Sequence, residues 1–305
     1  MTNVFTINFK PIEIIAFAVF SVCSFLLLVF DLHWYMPSTS SIKFISEHYI
    51  YPVALSFLFI LLLDFKIDHA GQKFSELLRT IFSVSVILYC HFVLKLWSAI
   101  VNKSRWDDFF QNTDTLMSSI VTLIVFINSL YKPVIERWPN AYHDLFVMMF
   151  VFSMFFHSLS HNRRKDFPQL LSVIALILVI GGIAYFMMPA NGPFIFSNGT
   201  NPWATHIQNN MNNFYTKFVQ SNGDIYHENN FIMAMAAMPS LHAAHATALI
   251  YFAWIKIRWL GLLYVPIVVF IFTEAIAAKW HYVIDIPVGI LVFIFSIYIS
   301  KVLHK

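Results

Sequence analysis

Nine stretches of this 305-residue chain are apolar over about the length that crosses a hydrocarbon core: residues 12–30, 49–64, 79–99, 115–131, 143–160, 168–188, 239–257, 260–278 and 282–302. A spanning helix needs about 20 mostly apolar residues. In lipid every backbone N–H and C=O must find its partner inside the protein, which favours helices. The expected fold class is therefore all-α, a polytopic transmembrane helical bundle. The fourth run is short and the second ends in charge, so eight or nine spans are expected. Composition agrees: 59% of residues are hydrophobic and 11% charged, against roughly 25% charged in soluble domains.

Other classes lack their usual signals. A net charge of +3 without a dense basic tract leaves nothing to grip nucleic acid. Cys23 and Cys90 lie inside apolar runs and have no metal-type spacing, so neither a disulfide framework nor a metal site is expected. The first ten residues run into an apolar stretch without a small-residue cleavage site, which reads as a retained helix. Lys and Arg in short loops set orientation. Arg163, Arg164 and Lys165 in HNRRKDF, Lys256 and Arg258 in IKIR, and Lys301 and Lys305 fall on one side if the spans alternate. That side is expected to be cytoplasmic. The 65–79 stretch, with Lys66, Lys73 and Arg79, disagrees when all nine runs cross.

Segment 189–238 falls on the other side, with Lys217 as its one basic residue. PANGPFIFSNGTNPW is rich in turn-makers. The following stretch repeats Ile207, Met211, Phe214 and Phe218 at helical spacing, so an amphipathic surface helix roofing a site is expected. Gly181–Gly182 in the sixth run permits close helix packing.

Two short stretches carry chemistry. AMPSLHAAHATAL opens a span with Pro239, Ser240, Leu241, His242 and His245; EAIAAKWHYVIDIPVG holds Glu274, Lys279, His281 and Asp285 at the junction of the last two runs. Both junctions lie on the outer face, so the stretches can meet. His281 and Asp285 are i and i+4 and would share one face of a helix. A carboxylate there fixes the imidazole tautomer and makes the other nitrogen a better nucleophile. His242 suits a general acid on a leaving alkoxide. Ser240 and the first free N–H groups after Pro239 suit an anion pocket, and Lys279 is the nearest cation for phosphate.

PSLH followed by HYVID resembles the second and third signature motifs of the type 2 phosphatidic acid phosphatase superfamily, membrane lipid phosphatases and phosphotransferases. The resemblance covers the last four spans. It implies a catalytic six-helix transmembrane core over residues 106–305, with 189–238 as an extracytoplasmic loop and 1–105 as additional N-terminal helices. It also implies a phosphohistidine on His281, oriented by Asp285, with His242 as acid and with neither metal nor cofactor. Its partners would be a membrane lipid donor and a lipid acceptor. The first motif, a Lys six residues ahead of an Arg-Pro pair, is absent, and the Ser-Arg of the third motif is replaced by Glu274 and Ala275. AMPSLH, WHYVID and YFMMPANGP (185–193) are similar to the inositol phosphorylceramide synthases, which implies transfer of a phospho-headgroup between lipids. A phosphatase using water at the same histidines, and a lipid transporter or flippase, are the alternatives.

Bland roles stand beside the sharp ones. His245 either lines the pocket or bonds a neighbouring helix; Lys279 either holds phosphate or snorkels to the headgroups. Glu274 is either a functional intramembrane carboxylate or lies just past the interface. Lys132 and Arg137 are candidates for the missing cations, although a positive loop flank is the commoner meaning. His157 and His161 are read as interfacial, and Asn198-Gly199-Thr200 as a chance match to a glycosylation pattern.

Overall fold

A computed structural model of the chain describes residues 9–63, 70–159, 166–223 and 235–305. Lys66, His161, Arg163, Arg164 and Lys165 lie outside the described residues. Within them the chain forms thirteen α-helices: α1 (Pro11–Val29), α2 (Thr39–Ile45), α3 (Tyr51–Leu63), α4 (Ala70–Val101), α5 (Asp107–Leu116), α6 (Ser118–Ser129), α7 (Lys132–Arg137), α8 (Ala141–Ser158), α9 (Phe167–Met187), α10 (Pro202–Gln220), α11 (Leu241–Lys256), α12 (Arg258–Ala277) and α13 (Asp285–Leu303). Among the described residues α1, most of α4, α9, α12 and α13 are long and apolar enough to cross a membrane, and α5 with α6 forms a pair bent by 84°. The protein is an all-α, polytopic membrane bundle.

Side-chain ties sort the helix ends onto two faces. Asn102 Nδ2 donates to Phe186 O (2.9 Å), joining the C-terminal ends of α4 and α9. Trp106 N donates to Pro189 O and Ala237 N to Ala190 O, so the starts of α5 and α11 join the same face. On the opposite face Lys256 pairs with Asp166 (3.1 Å), and Ser172 meets His304 (3.0 Å). The start of α4 belongs there as well, where Arg79 grips Glu13 of α1 through two bonds of 2.6 and 2.7 Å.

The bent pair does not cross. α5 starts at the face of Pro189, and α6 ends with Asn128 Nδ2 donating to Glu274 Oε2 (3.0 Å), near the end of α12 at that same face. With α5–α6 re-entrant, α1, α4, α8, α9, α11, α12 and α13 run between the faces among the described residues, while α3 is 13 residues long and too short to span by itself. This arrangement places Arg79 with Lys256, so the disagreement at Arg79 disappears.

α9 is the seam of the molecule. It packs against α4 and α1 on one side and against α11 and α13 on the other. Its glycine pair permits this: a side chain at Gly181 would collide with Leu241, and one at Gly182 would press Leu94 at 3.0 Å. One apolar core gathers around α8, α9, α11 and α12, a second around α1, α4 and α9.

Candidate active site

α12 ends in a cap that aims the next residues. Trp280 N donates to Ala275 O (3.0 Å) and Lys279 N to Ile276 O (3.1 Å), the paired bonds of a Schellman motif. Lys279 takes the left-handed conformation there, with φ of 62°, where glycine is usual. Gly199 lies directly on the backbone of Ala278, with no room for a Cβ, and Thr200 N donates to Ala277 O (2.9 Å).

His281 therefore precedes α13 rather than riding on it, and Asp285 is the first residue of that helix. The i,i+4 pair forms through a turn instead of along a helix face, because the cap stops α12 before His281. His281 Nδ1 lies 2.8 Å from Ala237 O and 3.2 Å from Asp285 Oδ2. A carbonyl oxygen only accepts, so Nδ1 carries the hydrogen and Nε2 keeps its lone pair. Asp285 is fully buried, and its Oδ2 also accepts from Tyr282 N (2.9 Å).

The turn is gripped from below by α5. Asp107 accepts from Asn191 N, Gly192 N and the Tyr282 hydroxyl at 2.8–3.0 Å. Asp114, two turns on, accepts from Val283 N (2.9 Å). Burial and the Asp107 carboxylate hold the Tyr282 hydroxyl above the ordinary phenol range, so it stays a donor. Both neighbours of His281 on its C-terminal side are thus tied to α5. Sequence reading missed these two aspartates; the signal was an acid pair at i,i+7 just ahead of an apolar run.

Ser240 caps α11, its Oγ accepting from Ala243 N (3.3 Å), while its own N–H donates to Asp285 O (3.2 Å). That close approach needs Gly289, where a Cβ would strike Ser240 O. The two motifs are thereby locked together: the cap of one is bonded to the carboxylate residue of the other.

His242 and His281 face one cavity of about 400 Å³. The His242 ring is held among Tyr142, His143 and Phe146 of α8, with centroids at 4.9, 5.6 and 4.8 Å. Trp203, Ile207, Gln208 and Met211 of α10 form another wall, the amphipathic helix expected from its spacing. Asn201 starts that helix, accepting from Trp203 N and Ala204 N, with Pro202 as first helical residue.

Other sequence candidates sit elsewhere. Ser240, His245, Glu274 and Lys279 are not among the residues lining this cavity. His245 Nδ1 lies 2.8 Å from Leu241 O, with Nε2 3.4 Å from Ile174 O of α9. Glu274 joins three parts of the chain, accepting from Asn128 and from Asn201 Nδ2 (2.9 Å). Lys132 and Arg137 are exposed on α7. His91 and Lys95 of α4, and His143, do line the cavity and were not singled out beforehand. Their signal was ionisable groups inside or beside apolar runs, His91 and Lys95 being one helical turn apart.

No curated protein and no solved structure matches the chain. A family model described as the PAP2 superfamily matches residues 109–299, from α5 through nearly all of α13. That range contains both motifs, the cap of α12 and Asp114 of the α5 grip, with Asp107 just ahead of it, and it covers well over half of the sequence: the chain belongs to the PAP2 superfamily.

Proposed function

We propose that the protein is a lipid phosphotransferase that moves a phosphoryl or phospho-headgroup unit, inositol-phosphate-like in character, between membrane lipids on the extracytoplasmic face. The observation carrying this reading is the sharing of one cavity by His242 and by His281, whose Nε2 is left unprotonated by the bond from Nδ1 to Ala237 O. In the first step His281 Nε2 attacks phosphorus and the bond to the donor's oxygen breaks. His242, protonated, gives its proton to the leaving alkoxide. Asp285, accepting from Nδ1, stabilises the positive charge that develops on the ring. In the second step the acceptor hydroxyl loses its proton to His242 and attacks phosphorus. The P–N bond breaks, and His281 is restored.

Residues 106–305 act as the catalytic core and 1–105 as added helices in this reading. Membership in the PAP2 superfamily also favours hydrolysis, in which water takes the acceptor's place at the same histidines. The apolar and aromatic side chains that α8 and α10 bring to the cavity, among them Tyr142, Phe146, Trp203, Ile207 and Met211, support transfer, since they suit a lipid acceptor better than water. Ser240 and Lys279 serve this site through the backbone they shape; His245 and Glu274 serve it by fixing α11 and α12.

Purified protein in lipid, given labelled phospholipid donors and a panel of lipid alcohols, should form a new phospholipid detectable by mass spectrometry. His281→Ala and His242→Ala should each remove it. Inorganic phosphate without a new lipid would establish hydrolysis. A folded His281→Ala, His242→Ala double variant with wild-type turnover would overturn the assignment.

A further inference from the structure

The first-motif cations are missing from the sequence, and the structure leaves the obvious substitutes outside the cavity. Lys132 and Arg137 are exposed on α7, and Lys279 is held at the cap of α12. Among the described residues lining the cavity of His242 and His281, Lys95 is the one lysine or arginine. It lies on α4, ahead of the stretch that matches the PAP2 superfamily.

Three observations give this lysine a ligand rather than a structural partner. Its Nζ stands 5.2 Å from the centroid of the Tyr185 ring, a contact that fixes the ammonium without neutralising it. No salt bridge to Lys95 is present among the described residues. Of the cavity's two carboxylates, Asp144 is already taken up by Trp138 Nε1 and Asn140 Nδ2 at 2.6 and 2.8 Å, and Glu47 stands 4.0 Å from Lys43. An ionisable group inside a span is costly unless it serves a site. Depth agrees as well: Lys95 precedes Asn102, tied at the site face, by seven residues, or about 10 Å of helix.

We infer that Lys95 binds the phosphoryl oxygens of the substrate, supplying from α4 the positive charge that the matched stretch does not bring to the cavity. The inference rests on the phosphoryl-transfer reading above. The ligand class is a phosphate mono- or diester dianion or monoanion, presented by a lipid headgroup. His91, one turn earlier, donates Nδ1–H to Leu178 O (2.8 Å), which fixes its ring beside the lysine.

The test compares Lys95→Met, Lys95→Arg, His281→Ala and Lys132→Gln, the last being an exposed cation outside the cavity. Two quantities are read: kcat and KM for lipid transfer or hydrolysis, and the rise in melting temperature caused by inorganic phosphate. Lys95→Met should lose on the order of 100-fold or more in kcat/KM and lose the phosphate-induced rise. Lys95→Arg should recover most of both, and Lys132→Gln should match wild type. His281→Ala should lose turnover yet keep the rise. Full turnover and an unchanged rise in Lys95→Met would overturn the inference while leaving the reaction intact. No turnover in wild type, with a phosphate-induced rise lost only in Lys95→Met, would keep the anion site and reject the reaction. If Lys95→Met does not fold, Lys95→Arg decides. Recovery of folding with turnover and the phosphate-induced rise both recovered supports the role, and recovery of folding with full turnover but no phosphate-induced rise overturns it.

Discussion

A single oxygen governs His281, the nucleophile in the proposed reaction. Asp285 Oδ2 accepts from both His281 and the Tyr282 amide, so it fixes a side chain and its own backbone turn together. Asp285→Asn keeps the volume but loses the charge that steadies the imidazolium. Turnover should fall by about 100-fold or more with little change in KM, as steady-state kinetics would show. Lys279 makes the opposite case. Its left-handed φ of 62° belongs to glycine's range, so Lys279→Gly should raise stability by up to about 1 kcal/mol, readable as a higher melting temperature. That His242, His281 and Asp285 come together was legible because the spacing within each motif spans only a few residues. Lys95 was not. It touches the site only through the packing of α4 on α9, a contact between residues 80 or more apart that no local pattern encodes.

At the level of helices, the decisive joint is α11 on α13. Gly289 allows the Ser240 carbonyl to sit where a Cβ would be, and the Ser240 amide then reaches Asp285. Gly289→Ala should push the two helix starts apart and cost about 1–3 kcal/mol. Activity should fall further than stability, because His242 opens one of the separated helices and His281 is bonded to the first residue of the other; melting and turnover measured on one preparation would show the difference. Most spans were readable from their length and apolar content, α1, α4, α9 and α13 within a few residues at most ends. The break at Met117 was not, since the apolar run carries on through it from Thr115 and the 84° bend of apolar α6 on the largely polar α5 follows from where each end is tied. Apolar count reports that a segment avoids water, not whether it leaves by the other face.

For the whole molecule, the re-entrant pair fixes the crossing parity. Cys23 and Cys90 are buried, so single engineered cysteines can be labelled with an impermeant maleimide without background. Glu76→Cys and Arg258→Cys should label from one side of sealed vesicles, and Lys132→Cys and Ser197→Cys from the other. Labelling of Glu76→Cys together with Ser197→Cys would mean that α5–α6 crosses after all. The sharing of one face by Lys256 and the C-terminal end of α13 was readable from loop charges; the place of Arg79 there depended on a parity that one unrecognised hairpin inverts.

The cavity between α4 and α8–α11 has a consequence for inheritance. One wall comes from helices that the superfamily match does not cover, the other from helices that it does. Recombination at the 102–106 connection would therefore exchange half of a binding site as one cassette. A hybrid joining this chain's first four helices to another superfamily member's core should carry a mixed lipid preference, resembling neither parent.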